Sequence, residues 1–247
     1  MNTILFVHGF PFDHRMWRHQ LSGLARWQCI APNLRGARGG EVPSATTAYT
    51  MSTYADDLVT LLDRAQIRQA VVCGLSLGGY IIFELLRRHP NRVRAAILCN
   101  TKAAADSPEA KRGRDALAAR AQREGTPAVA GELVPKLLAR ETQQERLDVV
   151  REVTEMIERQ PVSGIVGALH ALRERPDSTP LLPRIQIPVL VVAGDDDQIA
   201  PAEGMKQMAE AIPGAEFTLI SAAGHLAPLE QPRDVNGAVA AFLEKLN

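Results

Sequence analysis

The 247-residue sequence predicts a doubly wound α/β fold with a block of helices inserted past its middle. Three observations point there. Short apolar runs bounded by Gly, Pro or Asn recur along the chain, and nearly continuous runs of this kind fit strands buried on both faces of a parallel sheet. Helical patterns follow most of them. Between Thr101 and Pro188 the alternation stops: there is no strand-like run and no Phe, Trp or Tyr, and Ala, Arg, Glu and Leu recur at helical spacing.

The predicted strands are Ile4–Val7, Gln28–Ala31, Ala70–Cys73, Ala95–Cys99, Val189–Ala193 and Phe217–Ile220. A helix over 52–65 places Tyr54, Leu58, Leu61 and Leu62 on one stripe, with Asp56 and Asp57 near its start. A second runs from Leu77 to His89, where His89-Pro90 ends it. In the inserted block, Leu133, Leu137 and Leu138, then Val149, Val150, Val153, Met156 and Ile157, mark helix faces. Pro108, Gly125-Thr126-Pro127, Pro161, Gly164 and Pro176 punctuate it. A last helix covers about 235–246. The implied organisation is a core of 1–100 and 181–247 carrying a helical cap of 101–180.

Composition narrows the function classes. The 28 basic and 28 acidic residues balance, which gives no electrostatic reason to expect nucleic acid or an anionic membrane as a partner. No apolar stretch is long enough to span a bilayer, and the N-terminus lacks a basic leader and a cleavage pattern. Cys29, Cys73 and Cys99 each lie in an apolar run, as expected of reduced, buried thiols in a cytoplasmic protein. No CxxC, HExxH or His/Cys cluster is present, so neither a metal site nor a cofactor is expected.

The chemistry gathers around "CGLSLGGY" at 73–80. Ser76 stands between Gly74 and Gly78, after a predicted strand and before a predicted helix. A tight strand-to-helix turn would push its hydroxyl out and aim the helix N-terminus at it. A serine needs a base and the base needs an acid. His225 follows the last strand in "AAGHLAPLEQP", and Asp195, Asp196 and Asp197 end the strand before it, giving the order Ser, Asp, His. Two N–H groups must meet the developing oxyanion. Leu77 supplies one candidate, and Phe10 in "VHGFPF", freed by Gly9, supplies the other.

The four motifs together resemble the α/β-hydrolase superfamily: His8-Gly9-Phe10, Gly74-Leu75-Ser76-Leu77-Gly78-Gly79, Gly194-Asp195-Asp196-Asp197 with Pro201, and Gly224-His225 with Glu230-Gln231-Pro232. "NLRGARG" at 33–39 resembles the family's loop after the second strand present here. The likeness is greatest to the cap-bearing branch of small carboxylesterases and 3-oxoadipate enol-lactonases. In that family the acid lies three positions after the glycine and four before the proline, which selects Asp197. Only seven residues precede His8, so the family's first two strands are expected to be missing, leaving about six strands with the one at 28–31 on an edge.

The resemblance implies a serine hydrolase with Ser76, Asp197 and His225 as catalytic residues, acting on a small-molecule carboxylic ester of short to medium acyl chain. His8 is expected to support the oxyanion loop. Phe12, Trp17 and Met156 are candidates for the substrate pocket, and Lys102 reads as a solvated lysine just after a strand end, with binding of a substrate carboxylate as the alternative. The same triad would also serve an enol-lactonase, a carbon–carbon bond hydrolase or an acyltransferase or perhydrolase. A hydrolase-fold receptor with slow turnover is the alternative outside enzymology.

Overall fold

The computed structural model describes residues 3–246. The chain runs through β1 (Thr3–Val7), α1 (Arg18–Gly23), β2 (Gln28–Ile30), α2 (Met51–Arg64), β3 (Ala70–Leu75), α3 (Leu77–Arg88) and β4 (Val93–Cys99). Next come α4 (Pro108–Glu124), α5 (Thr126–Leu137), α6 (Arg140–Glu145), α7 (Leu147–Glu158) and α8 (Val162–Arg173). It returns through β5 (Val189–Gly194), α9 (Ala202–Glu210), β6 (Glu216–Ile220), α10 (Ala227–Glu230) and α11 (Pro232–Glu244).

The strands form one sheet in the order β2-β1-β3-β4-β5-β6, with every neighbouring pair parallel. Alternation along each strand feeds two cores. Ile4, Phe6, Val71, Cys73 and Ile97 join the one that includes α11, while Leu5, Val7, Val72, Ala96 and Leu98 join the one under α2, α3 and α9. Strands β1, β3 and β5 are buried throughout, which is why they read as continuous apolar runs. The edges are β2 and β6; both are short, and Leu219 on β6 is half exposed.

Local chemistry sets the helix ends. Thr50 caps α2, its hydroxyl accepting from the Thr53 N–H at 3.0 Å. Ser107 caps α4 in the same way, and Pro108 opens that helix at a position that needs no N–H. Gly125 divides α4 from α5 at φ 78°. The final helix begins at Pro232, three residues before its apolar periodicity starts, for the same reason as at Pro108.

Helices α4 and α8 pack together, as do α5 and α7. The two ends of this helical segment meet: the Ser178 N–H donates to Ala103 O at 2.9 Å, and Arg175 pairs with Asp106 at 2.7 Å. Cys73 and Cys99 lie on adjacent strands with their sulfurs 4.0 Å apart, and all three thiols are free. Among the described residues no helix is long and apolar enough to cross a membrane.

Candidate active site

Ser76 is the single residue between β3 and α3, and it turns the chain at φ 53° and ψ −107°. Positive φ in a non-glycine residue is strained by about 1–3 kcal/mol and persists only where the surroundings enforce it. They do so here. The Ser76 N–H donates to Cys99 O at 3.0 Å, and its carbonyl accepts from the Thr101 hydroxyl at 2.8 Å and the Gly79 N–H at 2.9 Å. Gly78 lets α3 start against β1, since a Cβ there would lie 2.2 Å from Val7 O. A Cβ on Gly74 would meet Gly78 C at 2.5 Å.

The end of β4 holds both halves of the site. Cys99 and Thr101 anchor Ser76, and Asn100 between them anchors Asp197 and the loop that carries His225. Its Nδ2 donates to Asp197 Oδ2 at 2.9 Å and to Gly224 O at 3.2 Å. His225 Nδ1 lies 2.9 Å from Asp197 Oδ2 and 3.1 Å from Oδ1. The other duty of Oδ1 is to accept from the N–H groups of Ile199 and Ala200 at 2.8 and 2.9 Å. Burial works to raise the Asp197 pKa; the facing His225, its hydrogen bond, the Ala200 N–H and Asn100 outweigh it and hold the carboxyl below the usual range. Asp195 and Asp196 bind backbone instead: Asp195 Oδ1 accepts from Ala223 N and Asp196 Oδ2 from Arg140 N.

The loop after β1 lies against the serine, for a Cβ built on Gly9 would be 3.6 Å from Ser76 Cβ. His8 fastens this loop. Its buried ring accepts from the Leu34 N–H at Nε2 (2.9 Å), which leaves Nδ1 to donate to Gly9 O at 3.0 Å. Burial holds its pKa down at about 4, so it is neutral at ordinary pH. The Phe10 and Leu77 N–H groups have no backbone acceptor among the described residues. The peptide between Phe10 and Pro11 is cis.

The α/β-hydrolase fold family model matches residues 2–232. The chain belongs to the α/β-hydrolase family. A thermophilic esterase from Thermogutta terrifontis, solved with malate bound, superposes with a TM-score of 0.94 at 40% identity, over 100% of this chain and 90% of that one. A 3-oxoadipate enol-lactonase from Acinetobacter baylyi is 26% identical over 99% of this chain and 90% of its own. A carboxylesterase of Bacillus subtilis is 25% identical over 98% of this chain and 80% of its own. The chain is thus a hydrolase, and the proteins it is similar to include esterases and an enol-lactonase.

In this α/β-hydrolase, Phe10 and Leu77 line a narrow cavity with Phe12, Tyr54, Gln160 and Ile165. Ser76 and His225 do not line it. Trp17 and Met156 do not reach it either: Trp17 packs on Phe6 with ring centroids 5.0 Å apart, and Met156 is buried in α7. Lys102 is exposed just past β4 and borders an apolar groove with Met205 and Met208. The sequence reading missed Asn100. Its one sequence-level signal is an Asn directly after a strand, where a left-handed turn suits it; φ is 45° there.

Proposed function

We propose that this hydrolase cleaves carboxylic esters through Ser76, His225 and Asp197. The observation that carries the reading is the buried His225–Asp197 pair, tied through Asn100 to the same strand end that anchors the strained Ser76. His225 takes the Ser76 proton as the serine oxygen attacks the ester carbonyl. The oxyanion is met by the free N–H groups of Phe10 and Leu77, and the α3 N-terminus favours the negative charge. His225 then protonates the leaving alcohol. Water, activated by the same imidazole, releases the acid and restores the serine. Asp197 keeps the proton on Nδ1 and stabilises the imidazolium.

Residues 101–180 act as a cap, with α8 bringing Ile165 to the cavity that Phe12 and Leu77 also line. The cap contains no Phe, Trp or Tyr, and an aliphatic cover of this kind favours short to medium acyl chains. The free thiols support a reducing, cytoplasmic setting. A lactone is the second reading, since the same steps open a cyclic ester and a full-length relative is an enol-lactonase.

Hydrolysis of p-nitrophenyl esters from acetyl to palmitoyl, beside a lactone series, tests the proposal with Ser76→Ala as control. The variant should lose at least about a thousandfold in kcat while keeping its fold. Near-native turnover by Ser76→Ala would sink the assignment. Lactone turnover that exceeds every linear ester would select the second reading.

A further inference from the structure

Glu230 takes no part in the reaction above, yet its exposure is 0%. A buried carboxylate is costly unless donors surround it. Oε1 accepts from the N–H groups of Gly224 at 2.9 Å and Leu226 at 3.2 Å, the two residues on either side of His225. Oε2 accepts from the Ala139 N–H at 2.8 Å, and the nearby Thr142 hydroxyl favours the charged form of the carboxyl. Ala139 is the residue just before α6, and Thr142 is buried within that helix.

That junction lies directly on the base loop. A Cβ on Gly224 would stand 2.5 Å from Ala139 N and 2.7 Å from Leu138 C. The Leu226 N–H is shared with Leu137 O at 3.2 Å. Asp197 fixes the direction of His225 Nδ1, but the reach of the opposite nitrogen depends on where the backbone of 224–226 is held. Glu230 binds that backbone and joins it to the turn between α5 and α6.

We propose that Glu230 is a positioning residue for His225: one carboxylate oxygen fixes the peptide groups flanking the imidazole while the other clamps the α5–α6 junction, so that the base and the adjoining helices keep one relative placement. The proposal rests on the reading of His225 as the general base.

The test compares wild type, Glu230→Gln and Ser76→Ala on the p-nitrophenyl ester the wild type prefers, with a fluorophosphonate probe that labels an activated serine. A glutamine keeps the volume but has one accepting oxygen, so its NH2 must face either Ala139 N–H or the N–H pair beside His225. The kcat per probe-labelled site should fall about tenfold or more, because small displacements of a reacting group are costly in rate. KM should stay within about threefold, and labelling should slow in parallel with kcat. If Glu230→Gln does not fold, Thr142→Val carries the test: it removes one donor and should lower kcat per site about threefold at constant KM.

A kcat per labelled site within about twofold of wild type for Glu230→Gln, or an unchanged value for Thr142→Val where that variant carries the test, would overturn the proposal and leave the triad reading intact. Lost turnover that is fully accounted for by a lower count of labelled sites would do the same, marking Glu230 as merely structural. Turnover that survives Ser76→Ala would overturn the parent reading, and this one with it.

Discussion

Asp197 is 5% exposed and still holds its charge, because every lone-pair direction meets a donor. Replacing it with Asn puts an NH2 where His225 Nδ1–H must donate, which favours the wrong tautomer. Asp197→Asn is therefore expected to cut kcat by roughly 10⁴ with little change in KM, measured on the best ester. The pH dependence has a sign. The folded pKa lies below the usual carboxylate value, so this group's stabilisation is present above the unfolded pKa and is lost as pH falls through the folded one.

His8 acts in a different window. Its folded pKa is about 4 against 6.5 for the free side chain. Its contribution is complete above pH 6.5 and declines toward pH 4, because the unfolded chain takes up a proton that the buried ring refuses. The loss is on the order of 3 kcal/mol across that interval. In His8→Gln, the urea midpoint should change less between pH 7 and pH 4.5 than in wild type. Equal slopes would mean that the ring protonates freely in the folded protein.

At the scale of elements, burial decided what could be read in advance. The central strands were legible because both of their faces are apolar, and α2 because one stripe is. Helix α6, "RETQQE", carries no such pattern; its buried Thr142 lies near Glu230, far away in sequence. Ser76, Asp197 and His225 were singled out from local motifs, and Glu230 stood in the motif that carries His225; the Asn100 contact to Asp197, 97 residues away, and the Glu230 contact to Ala139, 91 residues away, are ones that no local pattern encodes. Capping is the local term that can be measured by itself. Thr50→Ala leaves the Thr53 N–H without its acceptor, so stability should fall by about 1 kcal/mol with turnover unchanged. Denaturant unfolding beside an ester assay checks both halves.

At the scale of the molecule, the helical segment is held at its two ends by a buried ion cluster. Arg175 is 5% exposed and pairs with Asp106 at 2.7 Å, while Arg114 reaches the same carboxylate at 3.2 Å. The Arg175 guanidinium also donates to Leu172 O and Ala104 O and lies 4.3 Å from the centroid of Tyr80, four residues past Ser76. The surface pairs, such as Arg112–Glu109, are exposed and contribute little. Removing the Arg175 guanidinium takes a donor from Ala104 O and from Leu172 O, the latter keeping its backbone N–H partners, and leaves Asp106 with one partner instead of two. Arg175→Met, which keeps much of the volume, is expected to cost about 3 kcal/mol. For a chain of this length that lowers Tm by roughly 6–12 °C. Because the cluster stands beside α3 and joins both ends of the segment, the heated variant should lose ester turnover in step with unfolding. Turnover that persists well above the calorimetric transition would mean that the core holds its site without the segment.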